Sequence, residues 1–204
     1  MNSRSQKKKE QIHDAAKELF LQNGFSATSM DMVRERAGVS KQTLYVYYSS
    51  KEELLTDVIN QLISVISQEE FSSFMNQLSL SSQEEVENAL NMIGQRLIDH
   101  LMKKEYIGLA RVIITEISRF PHLGILFQEA VPKQVLSSIA SLLEKAKQVG
   151  SISVEDTRVA ARGFVGPLVT YVLIDGLLVG DGSIKKPNEE EIARQVCFYM
   201  KSLS

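Results

Sequence analysis

Ser40-Lys41-Gln42-Thr43-Leu44-Tyr45-Val46-Tyr47-Tyr48-Ser49-Ser50-Lys51 follows directly on a short amphipathic stretch that ends in Ala37-Gly38-Val39. A helix, a tight turn at glycine and a second short helix carrying Lys, Gln, Thr and Tyr describe a bihelical unit whose second helix suits the major groove of DNA. At helical spacing Val39, Leu44 and Tyr48 turn inward against the preceding helices. Lys41, Gln42 and Tyr45 share the outward face, with Thr43 and Tyr47 flanking it and Ser40 at its start.

The outward set has the right chemistry for a base edge. Gln bonds adenine through two hydrogen bonds, Lys reaches guanine O6 and N7, and Thr reaches a phosphate or a thymine methyl. Tyrosine hydroxyls and Lys51 suit phosphates, which set register without reading sequence. Thr28 and Ser29 add hydroxyls and open amides at the start of the helix before the turn, a natural phosphate seat. The competing reading is packing: tyrosines this closely spaced pack more often than they contact a ligand, and helix-turn-helix geometry also occurs in proteins that bind no DNA. A helical protein-interaction adaptor is therefore the alternative.

Charge distribution favours DNA. The chain carries a formal net charge of −2 over 204 residues. Residues 1–51, however, hold nine Lys/Arg against five Asp/Glu, and the remaining residues hold 14 against 20. A basic head thus precedes an acidic body. Cys197 is the single cysteine, so no internal disulfide forms, and a reducing cytoplasm is expected. The polar, basic N-terminus has no apolar run of the kind a signal peptide needs.

Catalysis finds no support. His13, His100 and His122 are scattered without metal-ligand spacing, and no nucleophile elbow, phosphate loop or dinucleotide fingerprint occurs. No metal, cofactor or enzymatic activity is expected.

Apolar residues recur at helical spacing along nearly the whole chain, which predicts an all-α protein of about nine helices. Ile12, Ala15, Ala16, Leu19 and Phe20 line the first helix, ending at Asn23-Gly24; Met30, Val33 and Ala37 line the second. Ser50-Lys51-Glu52-Glu53 and Ser82-Gln83-Glu84-Glu85 read as capping boxes, with a Ser-rich break at residues 72–82. Phe120-Pro121 ends a helix, Pro132 breaks or kinks the next, and Asn188 with Glu191 caps the last. Residues 163–180 are almost wholly apolar, but with Asp175, Pro167 and four glycines they read as a helix buried in a core or subunit interface rather than a membrane span.

Gly24-Phe25, Thr28-Ser29, Ala37-Gly38-Val39-Ser40, Thr43-Leu44-Tyr45, Tyr47-Tyr48 and Ser50-Lys51-Glu52-Glu53-Leu54 together resemble the N-terminal domain of the TetR-like transcriptional regulators. Tyr48 stands where phenylalanine is usual, and Met32-Val33 where Ile-Ala is common. The resemblance implies base-reading or nearby backbone positions for Lys41, Gln42 and Thr43, and phosphate contacts from Thr28, Tyr45, Tyr47 and Lys51. It further implies a homodimer through the last two helices, bound to an inverted-repeat operator in double-stranded DNA. Residues 1–51 would be the helix-turn-helix domain and residues 52–204 a helical effector-binding and dimerisation domain.

For that effector, a small and largely apolar molecule, the candidate pocket residues are Phe71, Phe74, Met75, Met92, Arg111, Phe120, Phe127, Phe164 and Tyr171; most are equally suited to an ordinary core. Glu116, Arg119 and Arg162 are further polar candidates. Gly163, Gly166, Gly176 and Gly180 would let a second subunit approach closely.

Overall fold

Two glycines shape the head of the chain. The computed structural model describes residues 3–64, 73–75, 77–130, 132–180 and 183–203. Among these the chain forms ten α-helices and no strand: α1 (Ser3–Ala27), α2 (Met30–Ala37), α3 (Lys41–Tyr47), α4 (Lys51–Ser64), α5 (Gln83–Leu101), α6 (Lys104–Glu116), α7 (Pro121–Ala130), α8 (Pro132–Gln148), α9 (Thr157–Tyr171) and α10 (Glu189–Met200). A π-helical turn, Val172–Leu177, continues α9. The count exceeds the expected nine because Pro132 divides the stretch after Phe120 into two helices, α7 and α8, each opened by a proline whose missing N–H costs nothing there.

Gly24 breaks α1 with φ 77° and ψ 171°, and a further turn follows before Thr28. Gly38 closes α2 in the left-handed region (φ 64°, ψ 34°), its N–H donating to the carbonyls of Arg34 and Glu35. An L side chain is strained there, so Gly38→Ala should lose about 1–2 kcal/mol of stability, read as a lower urea midpoint. An unchanged midpoint would show that the turn relaxes freely.

Capping follows the sequence with small shifts. Ser29 caps α2 and Ser40 caps α3. Ser50 Oγ accepts the Glu53 N–H, while the Glu53 carboxylate reaches one residue further back, to the N–H and hydroxyl of Ser49. Ser82 and Glu85 repeat this arrangement with Ser79 and Ser81. Asp156 opens α9, and Asn188 with Glu191 forms the capping box of α10.

The described helices divide into two compact units, residues 1–65 with 108–127, and residues 66–107 with 128–204. In the first, Ile12, Ala16 and Phe20 of α1 pack with Val33, Leu44, Tyr48, the α4 stripe Leu54-Leu55-Val58-Ile59, and Leu109, Val112 and Ile113 of α6. In the second, α5, α8, α9 and α10 share a core of Leu90, Ile93, Leu97, Ile139, Leu142, Phe164, Leu168, Ile192 and Val196. Gly94 belongs to that packing: a Cβ there would lie 3.1 Å from Ile192. The division falls inside α6, whose Ile107 belongs to the second core and whose Leu109 begins its share of the first.

Pro167 lies inside α9 and withholds one ladder hydrogen bond; the wider π turn follows it. Thr157–Leu177 is long and apolar enough to cross a membrane by length and composition, yet only 28% of its most apolar window is buried within the fold. The all-round burial expected from its sequence is thus only partly supplied by this chain.

Candidate nucleic-acid interface and regulatory surfaces

Every inward group of α3 is anchored, which leaves its outer face standing clear. Leu44 is fully buried and Tyr48 nearly so. The Tyr48 hydroxyl donates to Asp57 on α4, and Lys9 on α1 pairs with the same carboxylate at 3.3 Å. Burial, then the Asp57 bond, raises the Tyr48 phenol pKa well above its usual value. Tyr47 is tied to the start of α1: its hydroxyl donates to the Ser5 carbonyl at 3.1 Å and lies 2.8 Å from the Ser5 hydroxyl.

Outward stand Lys41, Gln42, Tyr45 and Val46, all exposed. The Lys41 ammonium lies 6.0 Å from the Tyr45 ring centre. Ser40 and Thr43 are bound to one another, Oγ to Oγ1 at 2.8 Å, and the Ser40 hydroxyl also accepts the Thr43 N–H. Their hydroxyls therefore complete the helix start first.

Two predicted phosphate groups are turned to internal work. Thr28 is 1% exposed, and its hydroxyl donates back to the carbonyls of Gly24 and Leu19. Lys51 donates to the carbonyls of Phe25 and Thr28, both at 2.7 Å, with its ammonium 4.3 Å from the Phe25 ring centre. Burial holds its pKa below the ordinary lysine value. Ser29 Oγ is engaged with the Met32 N–H.

The basic character of the head is also redistributed. Arg34 pairs with Asp31 and Glu35, and Arg36 with Glu18, so α2 contributes little net charge. Lys41 on α3 is exposed, as are Lys7 and Lys8 on the turn of α1 that Ser5 fastens to Tyr47.

In the second unit, α9, its π turn and α10 carry an uncovered apolar surface. Val159, Val169, Leu173, Ile174, Leu178 and Phe198 are all exposed, Phe198 by 73%. Val159, Gly163, Pro167, Phe198 and Tyr199 line an open groove of about 600 Å³ along it. A Cβ on Gly166 would meet nothing within 4 Å, and one on Gly163 only the Tyr199 ring. Gly176 differs: its Cβ would strike Ile107 at 2.7 Å, so that glycine serves internal packing.

The predicted pocket residues are dispersed. Phe71 lies outside the described residues. Arg111, Phe120 and Phe127 belong to the first unit, and Phe74, Met75, Met92, Phe164 and Tyr171 to the second. Phe164 is core, Met92 is 44% exposed, and Phe74, Met75 and Tyr171 are half-buried against the core. Arg96, which sequence reasoning passed over, stacks its guanidinium 4.0 Å from the Phe74 ring centre. Glu116 is buried and accepts the Ser26 hydroxyl, Arg119 lies by Phe120, and Arg162 is exposed.

Residues 12–58 match the family model of bacterial regulatory proteins of the tetR family, and residues 88–200 match that of the C-terminal domain of AefR-like transcriptional repressors. This chain belongs to the TetR family. The uncharacterized HTH-type transcriptional regulator YvaF of Bacillus subtilis is 32% identical over 130 residues, which are 64% of this chain and 63% of YvaF. A TetR-family regulator structure from Mesorhizobium loti superposes with a TM-score of 0.78 at 27% identity, covering 99% of this chain and 97% of that one. The flavonoid-responsive regulator FrrA superposes with a TM-score of 0.68 at 29% identity, covering 96% of both.

As a TetR-family protein the chain is a DNA-binding transcriptional regulator, and its relatives are regulators rather than enzymes. The TetR head also contains residues that the sequence reading missed. Asp57 clamps Tyr48 and Lys9 across 48 residues of chain, a distance no local pattern signals. Val46 was legible in principle, because it stands one helical turn after Gln42 on the same face.

Proposed function

We propose that this TetR-family regulator is a homodimeric, cytoplasmic repressor that holds an inverted-repeat operator and leaves it when a small, largely apolar ligand binds its C-terminal body. The observation that carries the reading is the pairing of two uncovered surfaces. One is the outer face of α3 with Lys41, Gln42 and Tyr45; the other is the apolar face of α9 and α10. Two copies joined through the second carry two copies of the first, so the two-fold symmetry of the protein matches that of an inverted repeat.

Residues 1–51 supply the DNA contacts, and residues 52–204 supply dimerisation and effector response. A ligand that binds the DNA-competent and the released forms unequally shifts the population away from the DNA-competent form by no more than its differential affinity. An apolar effector is supported by the aromatic and methionine side chains of the body, and an aromatic one by the flavonoid response of FrrA. Release of a fluorescent operator duplex by a panel of flavonoids and long-chain acyl compounds tests this. Displacement by one compound class at micromolar concentration is expected; failure of every apolar class, with release by a polar metabolite, would overturn the ligand assignment.

Gln42→Ala should relax preference at a single base position, with a loss of about 1–3 kcal/mol on the preferred base and little change on the others. Competition with operators carrying each base at each position reads this directly. Equal weakening on every sequence would instead make Gln42 a backbone contact.

A further inference from the structure

Val46 is the most exposed of the large apolar side chains described, at 75%. It sits in the last turn of α3, where neither burial nor helix propensity accounts for it, since valine is a mediocre helix former. Exposed single apolar residues are common on protein surfaces. This one, however, lies one turn beyond Gln42 on the face already assigned to DNA, while Lys41 and Tyr45 form the neighbouring pair one turn apart. The outer face is thus two adjacent rows, a cation with an aromatic and an amide with a branched apolar group.

In the major groove the only apolar feature that a base pair presents is the C5-methyl of thymine. We propose that Val46 is a specificity-determining residue that packs on a thymine methyl in each operator half-site. Gln42 and Val46 are four residues apart, about 6 Å along the helix axis. That spans about two base steps, so the thymine lies within two steps of the base bonded by Gln42. The proposal rests on the DNA-binding reading above and adds to it a particular base and a particular atom on it.

The test uses the full-length protein and an operator recovered from random duplex DNA. Each thymine of the half-site is replaced in turn, in both half-sites together, by deoxyuridine, which removes the methyl and keeps every hydrogen bond. At one position the wild-type protein should lose about fourfold in affinity per half-site, about fifteenfold in all. Val46→Ala should bind the thymine and deoxyuridine duplexes equally at that position, with an unchanged melting temperature. Wild-type affinity that is flat across the whole series, or discrimination by Val46→Ala equal to that of the wild type, would overturn the proposal. Failure to recover any operator would remove the DNA-binding reading itself, and the thymine assignment with it.

Discussion

Replacing Phe198 with aspartate should leave a folded monomer that no longer holds an inverted repeat. Phe198 projects from α10 into the groove that Val159, Gly163 and Pro167 border, and among the described residues nothing covers it: it is 73% exposed. Burying such a ring contributes about 1.5–3 kcal/mol relative to exposure. A two-fold interface contains it twice, so the loss is counted in both subunits. A carboxylate placed there adds its own desolvation cost. Together these weaken dimerisation by about a thousandfold or more. Sedimentation equilibrium at micromolar concentration should show a monomer, while circular dichroism shows unchanged helix content, since the side chain supports no core. Operator affinity falls with dimerisation, because each half-site alone provides only one α3. A Phe198→Asp protein that stays dimeric would move the interface away from α9 and α10.

Lys51 gives the second large effect, and there the structure sharpens what the sequence implied. Its ammonium joins the end of α1 to the turn before α2 by bonding the carbonyls of Phe25 and Thr28. Hydrogen bonds from a charged donor contribute about 1.5–3 kcal/mol each, and the half-buried setting keeps them from being replaced fully by water. Lys51→Met should therefore cost about 2–4 kcal/mol of stability, seen as a melting temperature lower by roughly 5–10 °C. Operator affinity should fall as well, because these two bonds fix the start of the helix that precedes α3. Lys41→Met is the comparison: exposed on the outer face, it should lose affinity with its melting temperature unchanged. If Lys51→Met matched Lys41→Met in both measurements, Lys51 would be a phosphate contact and not a brace.

These two residues show where the sequence was legible and where it was not. The helix-turn-helix was readable because its determinants are local: glycine at the left-handed position 38, serine caps at 29 and 40, and inward Leu44 and Tyr48 at helical spacing. The outer face followed from the same periodicity. What periodicity does not report is which polar groups are already satisfied by partners elsewhere in the fold. Tyr47 bonds Ser5 from 42 residues away, Tyr48 and Lys9 meet at Asp57, and Thr28 bonds back to Leu19 and Gly24. Each of these reads in one dimension as a free hydroxyl or ammonium. The body was legible as helices but not as a pocket, because aromatic and methionine residues mark a core and a ligand site alike. Residues 163–180 read correctly as apolar, but only the fold separates Gly176, packed on Ile107, from Gly166, which faces open space.

Selection of binding sites from random duplex DNA with the purified protein at moderate salt tests the central claim most directly. An inverted repeat is expected, its half-site centres about one helical turn apart or a multiple of it, protected by a protein dimer. Recovery of no common sequence even at low salt, where nonspecific phosphate attraction is strongest, would contradict it and favour a helical adaptor that uses its apolar faces on other proteins.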